Sequence, residues 1–122
     1  MPVTIIPLSM SNALKIIRDA NTNATAENNV NDGAATIYAI TVDNAANGAA
    51  TYTKLYNSAT AITVGTTDPD VILMTPASVA RTYVFRNSLN FATGLCFASV
   101  TAGGTAGTTN PVSTAIANIV VG

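Results

Sequence analysis

The sequence predicts an all-β protein, a single antiparallel β-sandwich or jelly-roll-like domain with an extended N-terminal arm. Short runs rich in Thr, Val, Ile and Tyr recur at turn intervals of about 8 to 12 residues, with Gly, Pro, Asn and Asp between them. Within the runs, bulky side chains alternate with the period of two that one face of a strand requires. We assign residues 1–12 to the arm and residues 13–122 to one sandwich domain.

The N-terminal third contains two predicted extended segments and one loop. Pro2 and Pro7 each lack a backbone donor, which restricts residues 3–10 to an edge strand or an arm. Residues 13–18 fit both helical and strand spacing, and we favour a strand because two adjacent isoleucines are stiff at χ1. Residues 21–33 are polar and rich in turn formers, so they are predicted to form a long exposed loop.

The central stretch, residues 36–56, is predicted to be a β-hairpin around which the rest of the chain is organised. Tyr38, Ile40 and Val42 share one face of the first run, and residues 52–56 alternate in the same way. The intervening DNAANGA contains Asn and Gly, which tolerate positive φ and reverse the chain at low cost.

The second half contains five more predicted strands. The segment 91–101 is the most apolar, and the small residues on one of its faces allow another layer to approach closely. Residues 101–111 are predicted to be a flexible Gly- and Thr-rich loop, and the turn at Asp68 and Pro69 uses the fixed φ of proline. The five predicted strands are residues 61–64, 71–74, 79–86, 91–101 and 116–121.

The charge content limits the classes of partner. Only 9% of the residues are charged, against about 25% in an average globular domain. A surface of small neutral groups has little charge repulsion, which suits a protein that works packed against others, although a simple soluble β domain has the same composition. The five cations are dispersed along the chain, whereas nucleic-acid binding requires a concentrated basic footprint. We therefore expect no nucleic-acid partner.

The single cysteine and the N-terminal residues indicate the cellular compartment in which the chain folds. Cys96 lies in an apolar run and is expected to be a buried free thiol. The first residues have no basic n-region, and Pro7 interrupts an apolar stretch that is too short to span a bilayer. The sequence therefore predicts no signal peptide, no membrane association and folding in a reducing cytoplasm.

Catalytic and metal-binding patterns are absent from the sequence. There is no histidine, which removes the commonest general base and the usual zinc ligand. Asp43, Asp68 and Asp70 have oxygens that calcium accepts, but turn formation explains them better, and no carboxylate pair is fixed across a cleft. The Gly-rich segment 103–109 lacks the lysine of a P-loop. We expect no enzymatic activity, no cofactor and no bound metal.

Two stretches, TIYAITVDNAANGAATYTKLYNS and FATGLCFASVTAGGTAGTTNP, resemble those of small structural proteins encoded by tailed bacteriophages. Small β-rich proteins of such virions most often resemble capsid decoration, or cement, proteins. The resemblance implies a protein made in the host cytoplasm that binds the major capsid protein on the outside of the virion, frequently as a trimer. The alternative it leaves open is a receptor- or glycan-binding appendage of the head or tail.

The hydrophobic content predicts a homo-oligomer, in keeping with the trimer that the resemblance implies. Hydrophobic residues make up 48% of the chain, which exceeds what one small sandwich readily hides, and burial between subunits would resolve the excess. We expect the arm and the C-terminal strand to contact a neighbour, because unpaired strand edges there would otherwise associate without control. The candidate interface residues are Val3, Ile5, Ile6, Leu8, Ile116, Ile119 and Val121.

Overall fold

The computed structural model describes residues 3–7 and 14–122, and this part of the chain is all-β, as predicted. Residues 3–7 of the predicted arm, most of the ambiguous segment and the C-terminal segment form strands at or near the predicted positions. The eight strands are β1 (Val3–Pro7), β2 (Lys15–Asp19), β3 (Ala35–Asp43), β4 (Thr51–Asn57), β5 (Val71–Thr75), β6 (Ala80–Phe91), β7 (Leu95–Val100) and β8 (Ile116–Val121).

The strands form two antiparallel sheets packed face to face. The larger sheet has the order β1-β2-β8-β3-β6, and the smaller has the order β5-β4-β7. The chain around Glu27 forms a bridge with Phe97 on the free side of β7, so it occupies a fourth position in the smaller sheet. When the segment around Glu27 is counted as a strand, four strands of the larger sheet, in the order β2-β8-β3-β6, face four of the smaller sheet, in the order Glu27 segment-β7-β4-β5. This is the strand arrangement of a jelly roll.

The core lies between the two sheets. Ile17, Ile40 and Ile119 from the larger sheet and Leu55 and Phe97 from the smaller one have no solvent exposure. Burial of each such side chain contributes about 1.5–3 kcal/mol. Their alternation with outward-facing residues is the period-two pattern on which the fold prediction depends.

The predicted central hairpin is wrong, although both of its strands exist. β3 pairs with β6 and β8 in the larger sheet, whereas β4 pairs with β5 and β7 in the smaller one. The segment 44–50 therefore carries the chain from one sheet to the other. Side-chain alternation is the same for two strands that pair as for two that stack across a core, so the sequence pattern could not separate the two arrangements.

Asn44 holds this crossover in place. It is fully buried, and its Nδ2 donates to the carbonyl oxygens of Ala49 at 3.0 Å, Pro76 at 3.0 Å and Thr75 at 3.3 Å. Its Oδ1 accepts from Thr51 Oγ1 at 2.7 Å. One side chain thus connects the crossover with the start of β4 and the end of β5.

The segment 21–33 is a long loop, as its composition predicts, but it is only partly exposed because it is bonded to β7. Glu27 N donates to Phe97 O and Phe97 N donates to Glu27 O, both at 2.9 Å, and Val30 N donates to Leu95 O at 2.9 Å. These bonds run along β7. The segment therefore covers a sheet edge that would otherwise present unpaired backbone groups.

The predicted strand at 61–64 is also wrong, because these residues are irregular.

The long connection from β4 to β5, to which residues 61–64 belong, closely approaches β7. A Cβ at Gly94 would lie 2.6 Å from the Ser58 carbonyl oxygen, so only glycine fits there. Cys96 is buried, as predicted, and its Sγ donates to the same Ser58 oxygen at 3.3 Å. The prediction that the small residues of this strand admit another layer is confirmed.

β6 is longer than the predicted strand at 79–86. It spans Ala80–Phe91, and its pairing with β3 shifts register between Ile37 and Ala39. Ser88, at a φ of 57°, lies in the bulged part. Phe91 therefore ends β6, although the sequence pattern assigned it to the following strand.

Candidate functional site

Four connections meet at one end of the sandwich and form a single surface, which we call the loop end. They are residues 20–26, 44–50, 76–79 and 101–115. Thr22 N donates to Ala115 O at 2.9 Å. Asn47 joins two of the other connections, because its carbonyl oxygen accepts from Ser78 N at 2.9 Å and its Oδ1 accepts from Ser113 N at 2.7 Å.

The loop end contains two depressions separated by Pro111 and Val112, which line both. The first, of about 240 Å³, is mainly apolar and is lined by residues 47–51 and Thr101. The second, of about 280 Å³, is mainly polar and is lined by Ser113, Thr114 and three asparagines, namely Asn21, Asn23 and Asn110. Val112 is 92% exposed between them, and none of the described residues that line the two depressions is charged.

The asparagines of the polar depression are partly engaged with the backbone. Asn110 Oδ1 accepts from Ala24 N at 2.9 Å, and Asn23 Oδ1 accepts from Thr25 N at 2.8 Å. Each carboxamide still carries an NH₂ group with two donors. Fixed carboxamides beside hydroxyl groups are suited to neutral, hydroxyl-rich ligands.

The outer face of the larger sheet carries an apolar row that crosses all five strands. The register places Ile6 beside Ile16, Ile16 beside Val120, Val120 beside Ala39 and Ala39 beside Val84. These residues alternate with the core residues of the same strands, so they point away from the core. At the two ends of the row, Val84 is 74% and Ile6 is 39% exposed.

A polar row lies beside the apolar row on the same face. Arg18 Nη1 donates to Asn118 Oδ1 at 3.3 Å, and Thr41 and Thr82 share a hydrogen bond between their hydroxyl groups at 2.9 Å. The register aligns these four residues across β2, β8, β3 and β6. Arg18 is the one charged residue among them.

Lys54 is the most unusual buried group in the described residues. It points away from the core on β4, yet it has no solvent exposure, because the loop after β7 covers it. Its Nζ donates to the carbonyl oxygens of Thr105 at 3.2 Å and Gly107 at 3.0 Å, and the Thr105 hydroxyl donates to Asp68 at 2.7 Å. Burial lowers the pKa of Lys54, but the covering loop blocks any substrate, so this amine has a structural role.

Two carboxyl groups lie near each other beside the start of the segment 21–33. Asp19 is fully buried; its Oδ1 accepts from Asn21 N at 3.0 Å, and its Oδ2 has no hydrogen-bond partner among the described residues. Burial raises the pKa of Asp19 above its ordinary value, and burial together with the charge of Asp19 raises the pKa of Glu27. Both groups are therefore protonated more readily in the folded protein than in the unfolded chain.

We expect the protein to gain stability as the pH falls from neutral toward the carboxyl range. The pKa values of Asp19 and Glu27 are higher in the folded protein than in the unfolded chain, so protonation of these groups stabilises the fold. This stabilisation is fully present below the unfolded pKa values near 3.8 and 4.5, and it is lost as the pH rises through the folded pKa values. Asp19→Asn keeps the oxygen that accepts from Asn21 and should stabilise the neutral-pH protein by about 1 kcal/mol or more, since no charge remains buried. Thermal melts across pH test this.

The control for this experiment is Asp32→Asn, which removes an exposed carboxylate from the same loop. Wild type and Asp19→Asn should converge in melting temperature at acid pH, and Asp32→Asn should follow the wild type. Parallel curves for wild type and Asp19→Asn at all pH values would contradict the assignment.

The three aspartates considered as calcium ligands each accept from a protein donor. Asp43 Oδ1 accepts from Ala45 N, Asp68 Oδ1 from the Thr105 hydroxyl and Asp70 Oδ2 from Asn57 N. No group of three or more His, Cys, Asp or Glu residues with metal-site spacing occurs within residues 3–7 and 14–122.

The predicted interface residues differ in where the fold places them. Ile119 and Val121 are fully buried in the chain's own core, because they lie on the face of β8 that packs against the smaller sheet, so these two side chains cannot contact a partner in this fold. Val3 packs against the same core. The exposed members are Ile5, at 42%, and Ile6.

Ile116 and Leu8 complete the predicted interface set. Ile116 is partly exposed, and it lies beside Asp43 in the sheet. Leu8 lies outside the described residues. β1 itself pairs with β2 of its own chain and forms one edge of the larger sheet. The outer edge of β1 is therefore the part of the arm that is available for contact with a neighbouring subunit.

Comparison of the sequence with protein-family models and with curated proteins, and of the fold with solved structures, returned no match. Among the described residues there is no helix long and apolar enough to cross a membrane.

The sequence did not single out Asn44 or Asn47, which it presented only as residues of a turn. Both are almost completely buried, at 0% and 4% exposure. The one available signal was a pair of asparagines three residues apart in a segment otherwise made of small side chains, and such a pair is also common in exposed turns.

Proposed function

We propose that this protein is a non-enzymatic structural component of a tailed-phage virion, made in the host cytoplasm, that decorates and cements the capsid from outside through protein–protein contacts. The observation that carries the proposal is the outer face of the larger sheet. It presents an apolar row from Ile6 to Val84 beside a polar row with a single arginine. A sheet face five strands wide fits a lattice of protein subunits better than it fits a small substrate.

The composition of this face resembles that of a protein–protein interface. An apolar centre with a polar margin is the usual arrangement at such interfaces, with arginine favoured over lysine. Ile16, Val120 and Ala39 are only partly exposed, so the row is already packed within its own sheet. Binding would therefore order few side chains and lose little conformational entropy.

The size of the face supports a homo-oligomer, with a trimer as the proposed state. Five strands spaced about 4.8 Å apart give a width of roughly 19 Å, and five residues of strand span roughly 17 Å, so the face covers roughly 320 Å². Stable interfaces bury about 800 Å² on each partner. A single copy should therefore bind weakly, whereas linked copies bind through avidity. The β1 edge with exposed Ile5 is the proposed contact between copies.

The test is titration of the purified protein into capsids assembled without it, using Val84→Asp. Because Val84 is 74% exposed, the variant should fold normally, but it places a charge at one end of the apolar row. We expect its capsid affinity to fall by at least about tenfold, since a desolvated unpaired charge costs more than about 1.4 kcal/mol. Ala61→Asp, which adds the same charge at an exposed position in the connection from β4 to β5, should bind like the wild type.

A second candidate function is a receptor- or glycan-binding appendage of the virion. The polar depression beside Val112 favours it, because Asn21, Asn23 and Asn110 present carboxamides to a neutral ligand. Saturable binding to capsids that Val84→Asp weakens would support cementing. Binding to host glycans without any binding to capsids would replace it with the appendage.

A further inference from the structure

One residue that lines the apolar depression at the loop end has a buried donor without an acceptor. Asn47, which lines it, is 4% exposed, and its Nδ2 has no hydrogen-bond partner among the described residues. Buried polar groups in folded proteins are nearly always paired, so an orphan donor beside a cavity requires an explanation. Among the described residues, no charged lining residue and no metal-binding group accounts for it.

The identity of the orphan atom follows from the contacts of Asn47. The other end of its carboxamide accepts from the Ser113 backbone amide at 2.7 Å. A backbone N–H can only donate, so the atom facing Ser113 must be the oxygen and the unpartnered atom must be the NH₂ group. The Asn47 backbone is also fixed, because its N–H donates to Asn44 O at 3.1 Å and its carbonyl accepts from Ser78 N at 2.9 Å. The donor is held in place without a ligand.

The rest of the depression limits the chemistry of an occupant. Its walls are small and apolar, with Ala49, Ala50, Pro111 and the highly exposed Val112 among them. With no charged lining, an ionic ligand would lose its hydration without compensation. A sugar would leave several hydroxyl groups unpaired against such walls. The space of about 240 Å³ accommodates one residue of moderate size.

We propose that this depression binds one uncharged aliphatic residue, such as Val or Pro, of an extended peptide segment of a partner protein. A backbone carbonyl of that segment accepts from Asn47 Nδ2 once the wall of the depression shifts enough to uncover this buried atom. A peptide supplies the two required features together, an apolar side chain and a neutral acceptor next to it. The site lies at the loop end, whereas the cementing proposal concerns the outer face of the larger sheet. A result that contradicts one of the two proposals would therefore leave the other unaffected.

The test is an NMR titration of the isotope-labelled protein with N-acetyl-valine-N-methylamide and N-acetyl-proline-N-methylamide, followed through the side-chain NH₂ signals of Asn47. Saturable shifts at millimolar probe are expected, together with shifts of Ala49 and Ala50. N-acetyl-aspartate-N-methylamide should bind more weakly, because the site has no cation. N-acetylglucosamine should produce no shift at Asn47.

The decisive variant is Asn47→Asp, which keeps an oxygen to accept from Ser113 N but loses the donor. It should weaken probe binding by about 3- to 10-fold, the usual worth of one hydrogen bond. Asn110→Asp is the matched control, because it adds the same charge and keeps the oxygen that accepts from Ala24 N; it should bind like the wild type. Ala50→Leu fills the cavity without altering Asn47 and should also abolish binding.

Three results would overturn the proposal. The first is an absence of Asn47 shifts at tens of millimolar probe, which would mean that water alone serves the donor. The second is equal binding by Asn47→Asp and the wild type, with Ala50→Leu also binding normally. The third is a preference for N-acetylglucosamine, which would make the depression a glycan site.

Discussion

Asn44→Ala should unfold more readily than any other single-asparagine variant among the described residues, with a loss of about 3 kcal/mol in the free energy of unfolding. The substitution leaves three carbonyl oxygens and the Thr51 hydroxyl without their partner at a fully buried position. The two Nδ2 hydrogens are shared among the three carbonyl oxygens, so about three hydrogen bonds are lost, and each costs about 1 kcal/mol. For a domain of this size, the melting temperature should fall by about 10 °C. Chemical denaturation followed by circular dichroism measures the loss.

The controls separate the role of Asn44 from that of asparagine in general. Asn87→Ala removes an exposed asparagine from β6 and should change stability by less than about 0.5 kcal/mol. Asn44→Asp keeps the oxygen that accepts from Thr51 but loses the donors and buries a charge, so it should be at least as damaging as Asn44→Ala. An Asn44→Ala protein as stable as the wild type would show that the crossover does not depend on this side chain.

Lys54→Ala should destabilise the fold by about 2–4 kcal/mol and release the loop at 101–110 from the smaller sheet. The substitution removes three buried methylene groups, each worth about 0.8 kcal/mol. It also removes the donor to Thr105 and Gly107. Loss of hydrogen-exchange protection in this loop, together with denaturant unfolding, measures both effects.

Lys54→Met is the matched control, because it keeps most of the aliphatic stem and removes only the ammonium group. Loss of two hydrogen bonds to carbonyl oxygens is offset by relief from burying a charge, the same cause that lowers the pKa of Lys54. We expect Lys54→Met to remain within about 1 kcal/mol of the wild type. If it proves as unstable as Lys54→Ala, the hydrogen bonds hold the loop and the packing of the stem does not.

Part of what characterises the candidate sites could be predicted from the sequence, and the rest depends on the tertiary structure. The low charge content, readable from composition, was the basis for the prediction that the protein works packed against others, and this remains a prediction. Neither the apolar row on the larger sheet nor the orphan donor of Asn47 was readable, because each depends on residues distant in sequence. Ile6 and Val84 share one row only because β2, β8 and β3 lie between their strands.

The sequence by itself determined the all-β class, the strand assignments of most segments and the burial of Cys96, because period-two alternation and turn residues are local properties of the chain. Only the tertiary structure decided that β3 and β4 lie in different sheets, that the segment 21–33 closes the edge of β7 and that Lys54 is buried. These features depend on which strands become neighbours. That choice follows from the packing of the whole core and from side chains such as Asn44, whose partners at Thr75 and Pro76 lie some thirty residues away.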